Sequence, residues 1–259
     1  MSYVGTWAWA QKTNGTLRGR DRIRLIGQGV TARLERLPSQ LRSRILGESA
    51  SLRLPSPPDS QLAREAEERV RELSSPALYC HCLRTWAFAT LFAQRDGVEH
   101  DEELLYLACL LHDLGLTEGH WGAEAQAKCF AVEGARAAHG FLHDHGASEE
   151  GARRVAEAIS LHLNVTVPAR LGAEAHLLSK GVSLDVVGRR LHQISAPTVG
   201  SIGEHWPRGG FAEELVGSTT RQAEMRPGSR SALLHGLGFV GLIRGNPLEK
   251  GEVARTAQR

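Results

Sequence analysis

The adjacent pair His112-Asp113 supplies an imidazole nitrogen and a carboxylate oxygen, the donor types of a half-site for a divalent metal ion. His112 lies four residues after Ala108 and seven after Leu105 in the apolar stretch LLYLACLLHD. At helical spacing these residues share one face, so we expect the imidazole to point into the core. Burial of such a pair is costly unless a partner compensates it. The alternative interpretation is a His–Asp hydrogen bond at the end of a helix.

Further side chains that can bind a metal lie on apolar faces of other predicted helices. His81 shares a helical face with Phe88, and His162 shares one with Ile159. Asp185 is the lone acid in VSLDVVG. Each of these residues taken singly is typical of a core side chain with an internal hydrogen bond. Together with His112-Asp113 they favour one converging site, because separate helices would each deliver a donor from a buried face.

The hydrophobic pattern predicts an all-α protein. Ala, Leu, Arg and Glu dominate the middle of the chain, and all are good helix formers. The region after Trp206 is rich in Gly and Pro, and we expect it to wrap the surface. Apolar spacing and capping residues predict helices over 60–73, 76–94, 101–115, 123–145, 148–164, 172–180 and 183–193.

The composition suggests three segments. Residues 1–59 form a basic N-terminal arm followed by a Ser/Pro-rich linker, residues 60–248 form the metal domain, and residues 249–259 form a C-terminal tail. The chain has 259 residues, of which 41% are hydrophobic and 23% charged, and this composition excludes a wholly disordered chain.

Charge and cysteine content bear on partners and location. The net charge is only +2, although eight arginines lie between residues 18 and 44. Trp7 and Trp9 precede this arginine stretch, but no nucleic-acid-binding motif accompanies them, so we do not expect a nucleic acid partner.

No apolar run reaches the roughly 20 residues that span a bilayer, so we expect no membrane association. The cysteines fall in predicted helices, which indicates reduced thiols and a cytoplasmic protein. The sequence is compatible with both a monomer and a homo-oligomer.

The order His81…His112-Asp113…Asp185 resembles the HD-domain metallohydrolase superfamily, which carries an H…HD…D ligand set on an all-α core. The segments HCLRTWAFA, CFAVEGARAA, AISLHLN and LDVVGRR, followed by WPRGGF and NPL, are similar to the cyanamide hydratase branch of that superfamily. The resemblance covers residues 60–248. It implies a helical bundle with an irregular N-terminal arm and C-terminal tail.

This resemblance implies that His81, His112, Asp113 and Asp185 are ligands of one divalent metal ion. Zn²⁺ is the first choice, and Fe²⁺, Mn²⁺ or Ni²⁺ would suit the same donors. Phe130 stands where many two-metal relatives have a further histidine, which argues for a mononuclear site.

The implied reaction is the addition of water to a small nitrile-like substrate, such as cyanamide, to give urea. In it His162 would orient the substrate or shuttle a proton, with Thr117 and Lys180 as secondary candidates. The alternative is a phosphohydrolase of nucleotides or small phosphate esters, in which Arg84, Arg189 or Arg190 could bind the phosphate. The acid of the nucleotidase pattern H-D-x-x-E is missing, because Leu116 occupies its position. An HD module without catalysis is a third hypothesis, which the four retained ligand types disfavour.

Overall fold

The structure, a computed structural model, describes residues 3–34, 54–120 and 128–249, and these ranges contain twelve α-helices and no β-strand. The all-α prediction is confirmed. None of the helices within these ranges is both long enough and apolar enough to cross a membrane. The helices are α1 (Trp7–Thr13), α2 (Gly19–Leu34), α3 (Gln61–Leu73), α4 (Pro76–Asp96), α5 (Glu102–Leu111), α6 (Phe130–Asp144), α7 (Glu149–Leu161), α8 (Ala173–Val187), α9 (Ala196–His205), α10 (Phe211–Met225), α11 (Arg230–Gly236) and α12 (Phe239–Arg244).

Side-chain caps fix the starts of the helices that build the core. Ser60, Ser75, Asp101 and Ser148 each accept a hydrogen bond from a first-turn backbone N–H of α3, α4, α5 and α7, respectively. A cap of this kind is worth about 1 kcal/mol, because it satisfies a donor that the helix itself leaves unpaired. These four starts therefore agree with the boundaries that the sequence predicts.

Helices α4, α5, α7 and α8 form the centre of the molecule. α4 packs along α8, α5 packs against α4 and α7, and α7 packs against α8. This arrangement places the candidate residues around one point: His81 lies on α4, Asp185 on α8, and the other donors at the C-terminal ends of α5 and α7. The side chains that fill the core between these helices include Phe88, Phe92, Leu105, Leu107, Ala158, Ile159 and Leu184.

Three predicted boundaries differ from the structure. The helix predicted over 123–145 begins at Phe130, after the non-helical residues Lys128 and Cys129. The predicted helices 172–180 and 183–193 are one helix to Val187 with a separate 3₁₀ turn at Leu191–Gln193. Gly181, which suggested a break, instead allows α8 to approach α4: a Cβ there would overlap the carbonyl oxygen of Thr85. The helix predicted over 101–115 ends at Leu111, and a 3₁₀ turn follows at Leu114–Leu116.

The region after Trp206 does not wrap the surface as predicted. It forms α10, α11 and α12, and it buries Phe211, Arg230, Ile243 and Asn246. An uninterrupted apolar periodicity is missing here because glycines separate the short helices, so the helices were not predicted. This C-terminal layer packs onto α4 and α8 and covers the ends that carry the candidate site.

The described part of the N-terminal arm is helical rather than irregular, and it packs on the domain. α1 lies against α7, and the side chain of Asn164 donates to the carbonyl of Val4 at 2.7 Å. Trp9 is buried, and its indole nitrogen donates to Asp21 at 3.3 Å. Trp9 is therefore a packing residue. Most of the predicted linker (residues 35–53) and of the C-terminal tail (residues 250–259) lies outside the described residues.

We predict that Gly181→Ala lowers the free energy of unfolding by about 2 kcal/mol or more, because the added methyl group must push α8 away from α4. The matched control is Gly217→Ala in α10, where an added Cβ meets no described atom within 4 Å. That variant should be more stable by about 0.5–1 kcal/mol, since alanine is the better helix former. Urea denaturation measures both. Equal stability of the two variants would contradict the proposed close contact.

Candidate metal centre

Three donor atoms converge in the buried centre of the fold. His81 Nε2 lies 3.2 Å from His112 Nε2 and 3.5 Å from Asp113 Oδ2, and His112 Nε2 lies 3.3 Å from the same carboxylate oxygen. His81 and His112 are fully buried, and Asp113 is nearly so. With metal–ligand bonds of about 2.1 Å, neighbouring ligands of a tetrahedral ion lie roughly 3.4 Å apart. The three donors therefore have the spacing of ligands to one ion, and they could hold a metal.

The hydrogen bonds of the two imidazoles leave the correct nitrogens available. His81 Nδ1 lies 2.7 Å from Asp185 Oδ2, and His112 Nδ1 lies 2.7 Å from the carbonyl oxygen of Cys109. Both neighbours are acceptors, so each Nδ1 donates a hydrogen bond and each Nε2 is the nitrogen that faces the other donors. Burial lowers the pKa of His112, but the carboxylate of Asp113 outweighs burial and holds the pKa well above its usual range, so a metal ion would displace a proton from Nε2 of His112. A histidine that binds metal through one nitrogen and donates through the other is the usual arrangement in proteins.

Asp185, which the sequence resemblance implies as a fourth ligand, contacts the far side of His81. Its carboxylate accepts from Arg84 Nε at 2.9 Å, from Arg84 Nη2 at 3.0 Å and from Arg208 Nη1 at 2.6 Å. Burial raises the pKa of this carboxyl group, but Arg84 and then Arg208 more than offset the effect and hold the pKa well below its usual range. In this structure Asp185 is an ionised group that orients His81, and it is not among the three converging donors.

The C-terminal layer supplies residues that the sequence analysis did not identify as part of the site. Arg208 Nη2 and Asn246 Nδ2 both donate to the backbone oxygen of Asp185, at 3.0 and 2.7 Å. Arg208 also pairs with Glu249. The ring of Phe211 stacks on His81 with centroids 4.3 Å apart. The signal was present, because WPRGGF contains Arg208 and Phe211, and NPL begins at Asn246; the segments suggested a relationship but no role.

His162 lies beside the three donors, where it was expected. Its Nδ1 contacts the carbonyl oxygen of Ile159 at 2.6 Å and therefore donates, while Nε2 is 3.6 Å from Asp113 Oδ1. Its ring centroid is 5.1 Å from that of His112 and 5.7 Å from that of Phe130. Burial, and next the neighbouring His112, lower the pKa of His162 to about 3. His162 is thus a neutral imidazole whose available nitrogen faces the candidate metal centre.

The structure gives each of the two secondary candidates a hydrogen-bond partner outside the three converging donors. The Thr117 hydroxyl donates to the carbonyl of Leu114 at 2.7 Å, where it closes a 3₁₀ turn. The Lys180 ammonium contacts Asp96 at 2.6 Å. Asp96 is 15 residues after His81 on the same helix, which is about 22 Å along its axis. Lys180 is only five residues before Asp185, but the two side chains leave α8 in different directions.

Comparison with known proteins agrees with this arrangement. An HD-domain family profile matches residues 78–188, a range that contains the three converging donors, His162 and Asp185. Two relatives from Saccharomyces cerevisiae, the cyanamide hydratases DDI2 and DDI3, are each 31% identical to this chain over 156 residues, or 59% of this chain and 68% of each relative. The chain therefore belongs to the HD-domain superfamily, and within it to the family that includes these two cyanamide hydratases.

Proposed function

We propose that this protein is a metal-dependent hydratase that adds water to the C≡N bond of a small nitrile-like molecule, with cyanamide giving urea as the reference reaction. The observation that carries the proposal is the convergence of His81 Nε2, His112 Nε2 and Asp113 Oδ2 within 3.2–3.5 Å of one another. The 31% identity to two cyanamide hydratases supports the choice of reaction.

We propose Zn²⁺ as the ion, because two imidazole nitrogens and a carboxylate oxygen are donors that zinc accepts in catalytic sites with an open position. When bound, the metal would supply a Lewis acid that lowers the pKa of water from about 15.7 toward 7. Asp113 would hold the ion through Oδ2, and its Oδ1 faces His162. Asp185 keeps the His81 ring in the orientation that presents Nε2.

His162 is the residue that we assign to proton handling. Its Nδ1–H is fixed on the Ile159 carbonyl, so Nε2 can accept a hydrogen bond from the attacking water or from an N–H of the cyanamide amino group. The rings of Phe130 and His112 hold it in place. A neutral imidazole in this position aligns the water with the electrophilic carbon.

The alternative, a phosphohydrolase, loses support from the contacts of its expected phosphate-binding residues. Arg84 is buried and donates to Asp185 and to the carbonyls of Trp206 and Pro207. Arg189 donates to the carbonyl of Val165 at 2.6 Å. Both guanidinium groups thus have structural partners, and binding a phosphate through Arg84 would remove a counter-charge from buried Asp185.

A cytoplasmic location stays a prediction. The cysteines Cys80, Cys82, Cys109 and Cys129 form no disulfide, and Cys82, Cys109 and Cys129 are buried. Buried thiols suit a reducing compartment.

The first prediction concerns metal binding and turnover. Zinc-loaded protein should form urea from cyanamide, and chelation should abolish this activity. His112→Ala removes one of three donors, so we expect zinc affinity to fall by more than about 100-fold. This loss is larger than the one caused by changing a residue that only hydrogen-bonds to a ligand. His143→Ala, at an exposed histidine on α6, is the control and should keep both properties. Zinc content is measured by emission spectrometry. Full zinc occupancy in His112→Ala would refute the assignment.

The second prediction separates a ligand from a residue that orients a ligand. Asp185→Asn keeps the size of the side chain but weakens the hydrogen bond to His81, so zinc affinity should fall by about 10–100-fold. Titration against a chelator of known affinity measures the change. If Asp185→Asn loses zinc as completely as His112→Ala does, Asp185 is a direct ligand.

The third prediction tests His162. His162→Gln should retain zinc, because the imidazole is not one of the converging donors. Its kcat for cyanamide should fall by about 100-fold or more, the usual cost of losing a positioned proton-transfer group. Steady-state urea assays and metal analysis of the same sample give both values. An unchanged kcat would remove His162 from the mechanism.

A further inference from the structure

A cavity of about 190 Å³ has His162 among its lining residues. Its walls come from α8, from the segment that follows α7, and from the C-terminal helices α11 and α12, with Ile26 of α2 at one edge. His162 is also the neighbour of Asp113 and His112. His162 therefore borders both the cavity and the candidate metal centre.

The cavity is lined mainly by aliphatic and aromatic side chains, among them Val182, Val186, Leu234, Leu237 and Phe239. No acidic residue is among the lining residues that the structure describes. A polar or charged ligand would lose its hydration in such a cavity without adequate compensation.

Three polar residues of the lining have protein partners. Asn164 donates to the carbonyl of Val4, and Arg189 donates to that of Val165. The Ser183 hydroxyl donates to the carbonyl of Lys180 at 3.1 Å. These groups stabilise the walls, so the cavity offers its occupant chiefly apolar contact.

The size of the cavity exceeds what the reference substrate needs. Cyanamide has three non-hydrogen atoms and the bulk of about two water molecules, roughly 60 Å³. A dry apolar cavity of about 150 Å³ is large enough to take up benzene. A cavity of about 190 Å³ can therefore hold an aromatic ring or an aliphatic group of similar bulk.

We propose that this cavity binds an apolar group of the substrate, and that the protein acts on N-substituted cyanamides or nitriles with an aryl or alkyl group of up to benzene size. The inference rests on the proposed function, because the C≡N group would lie at the candidate metal centre while its substituent passes His162 into the cavity. For phenylcyanamide, the oxygen of water bonds to the nitrile carbon. The two protons of that water end on the nitrile nitrogen, and the product is phenylurea.

The test uses full-length, zinc-loaded protein and two readouts. Calorimetry compares the binding of phenylurea and urea, and mass spectrometry compares turnover of phenylcyanamide and cyanamide. We expect phenylurea to bind about tenfold or more tightly than urea, because only phenylurea buries an apolar ring. We expect kcat/KM for phenylcyanamide to exceed that for cyanamide by a similar factor.

Two variants fill the cavity from different walls. Val182→Phe enlarges the α8 wall, and Leu237→Trp enlarges the opposite wall at a position that is 36% exposed, where a larger side chain is tolerated. Either change should lower the preference for the phenyl compound by about tenfold or more, in binding and in turnover. Val98→Phe makes the same substitution beyond the far end of α4, outside the cavity lining, and should leave the preference unchanged.

The outcomes separate this inference from the proposed function. If the wild type hydrates cyanamide but binds phenylurea no better than urea, the cavity inference is overturned and the hydratase assignment survives. If neither cyanamide compound turns over, yet Val182→Phe and Leu237→Trp abolish the tighter binding of phenylurea, the assignment of the cavity as a site for an apolar group survives, whereas the hydratase assignment and the proposed substrates fail. A phenyl preference that is equal in the wild type and both cavity variants also overturns the inference.

Discussion

The buried carboxylate of Asp185 is the group around which the rest of the site is organised. A buried charge without partners is strongly destabilising, so Asp185 requires hydrogen bonds and counter-charges from its surroundings. They come from separate parts of the chain: Arg84 and His81 from α4, and Arg208 from the segment before α10. Asn246 beyond α12 fixes its backbone oxygen. The electrostatic requirement of one side chain thus ties together the elements that form the candidate metal centre.

The link between Asp185 and His81 connects this network to chemistry. A hydrogen bond to Nδ1 fixes both the ring orientation and the tautomer of His81, so Nε2 faces His112 and Asp113. His112 is fixed in the same manner by the carbonyl of Cys109. Preorganised donors of this kind bind a metal without first having to rearrange. The close packing of α8 on α4 at Gly181 keeps the two sides of the network together.

The terminal segments complete the site by closing it from solvent. The N-terminal helices and α10 to α12 surround the ends of α4, α7 and α8, and their apolar side chains form a second cluster that includes Trp9, Leu25, Phe130 and Phe211. The cavity beside His162 lies within this covering layer, between α8 and the C-terminal helices. The central helices and the covering layer therefore have distinct tasks: the central helices present the metal donors, and the covering layer shapes the space available to a substrate.

Sequence alone determined the all-α class, the starts of α3, α4, α5 and α7, and the inward faces of His81, His112 and His162, because helical periodicity and capping are local properties. It also determined the family, since the order of the donors and their flanking segments is itself a sequence feature. The tertiary structure decided which nitrogen of His81 is available. It also decided that Arg84 is buried against Asp185, although arginines on helices are usually found at the surface. It also revealed the roles of Arg208, Phe211 and Asn246 and the cavity beside His162. These features depend on contacts between residues as many as 130 positions apart, such as His81 and Phe211, and no local pattern encodes the distances between such residues once the helices pack.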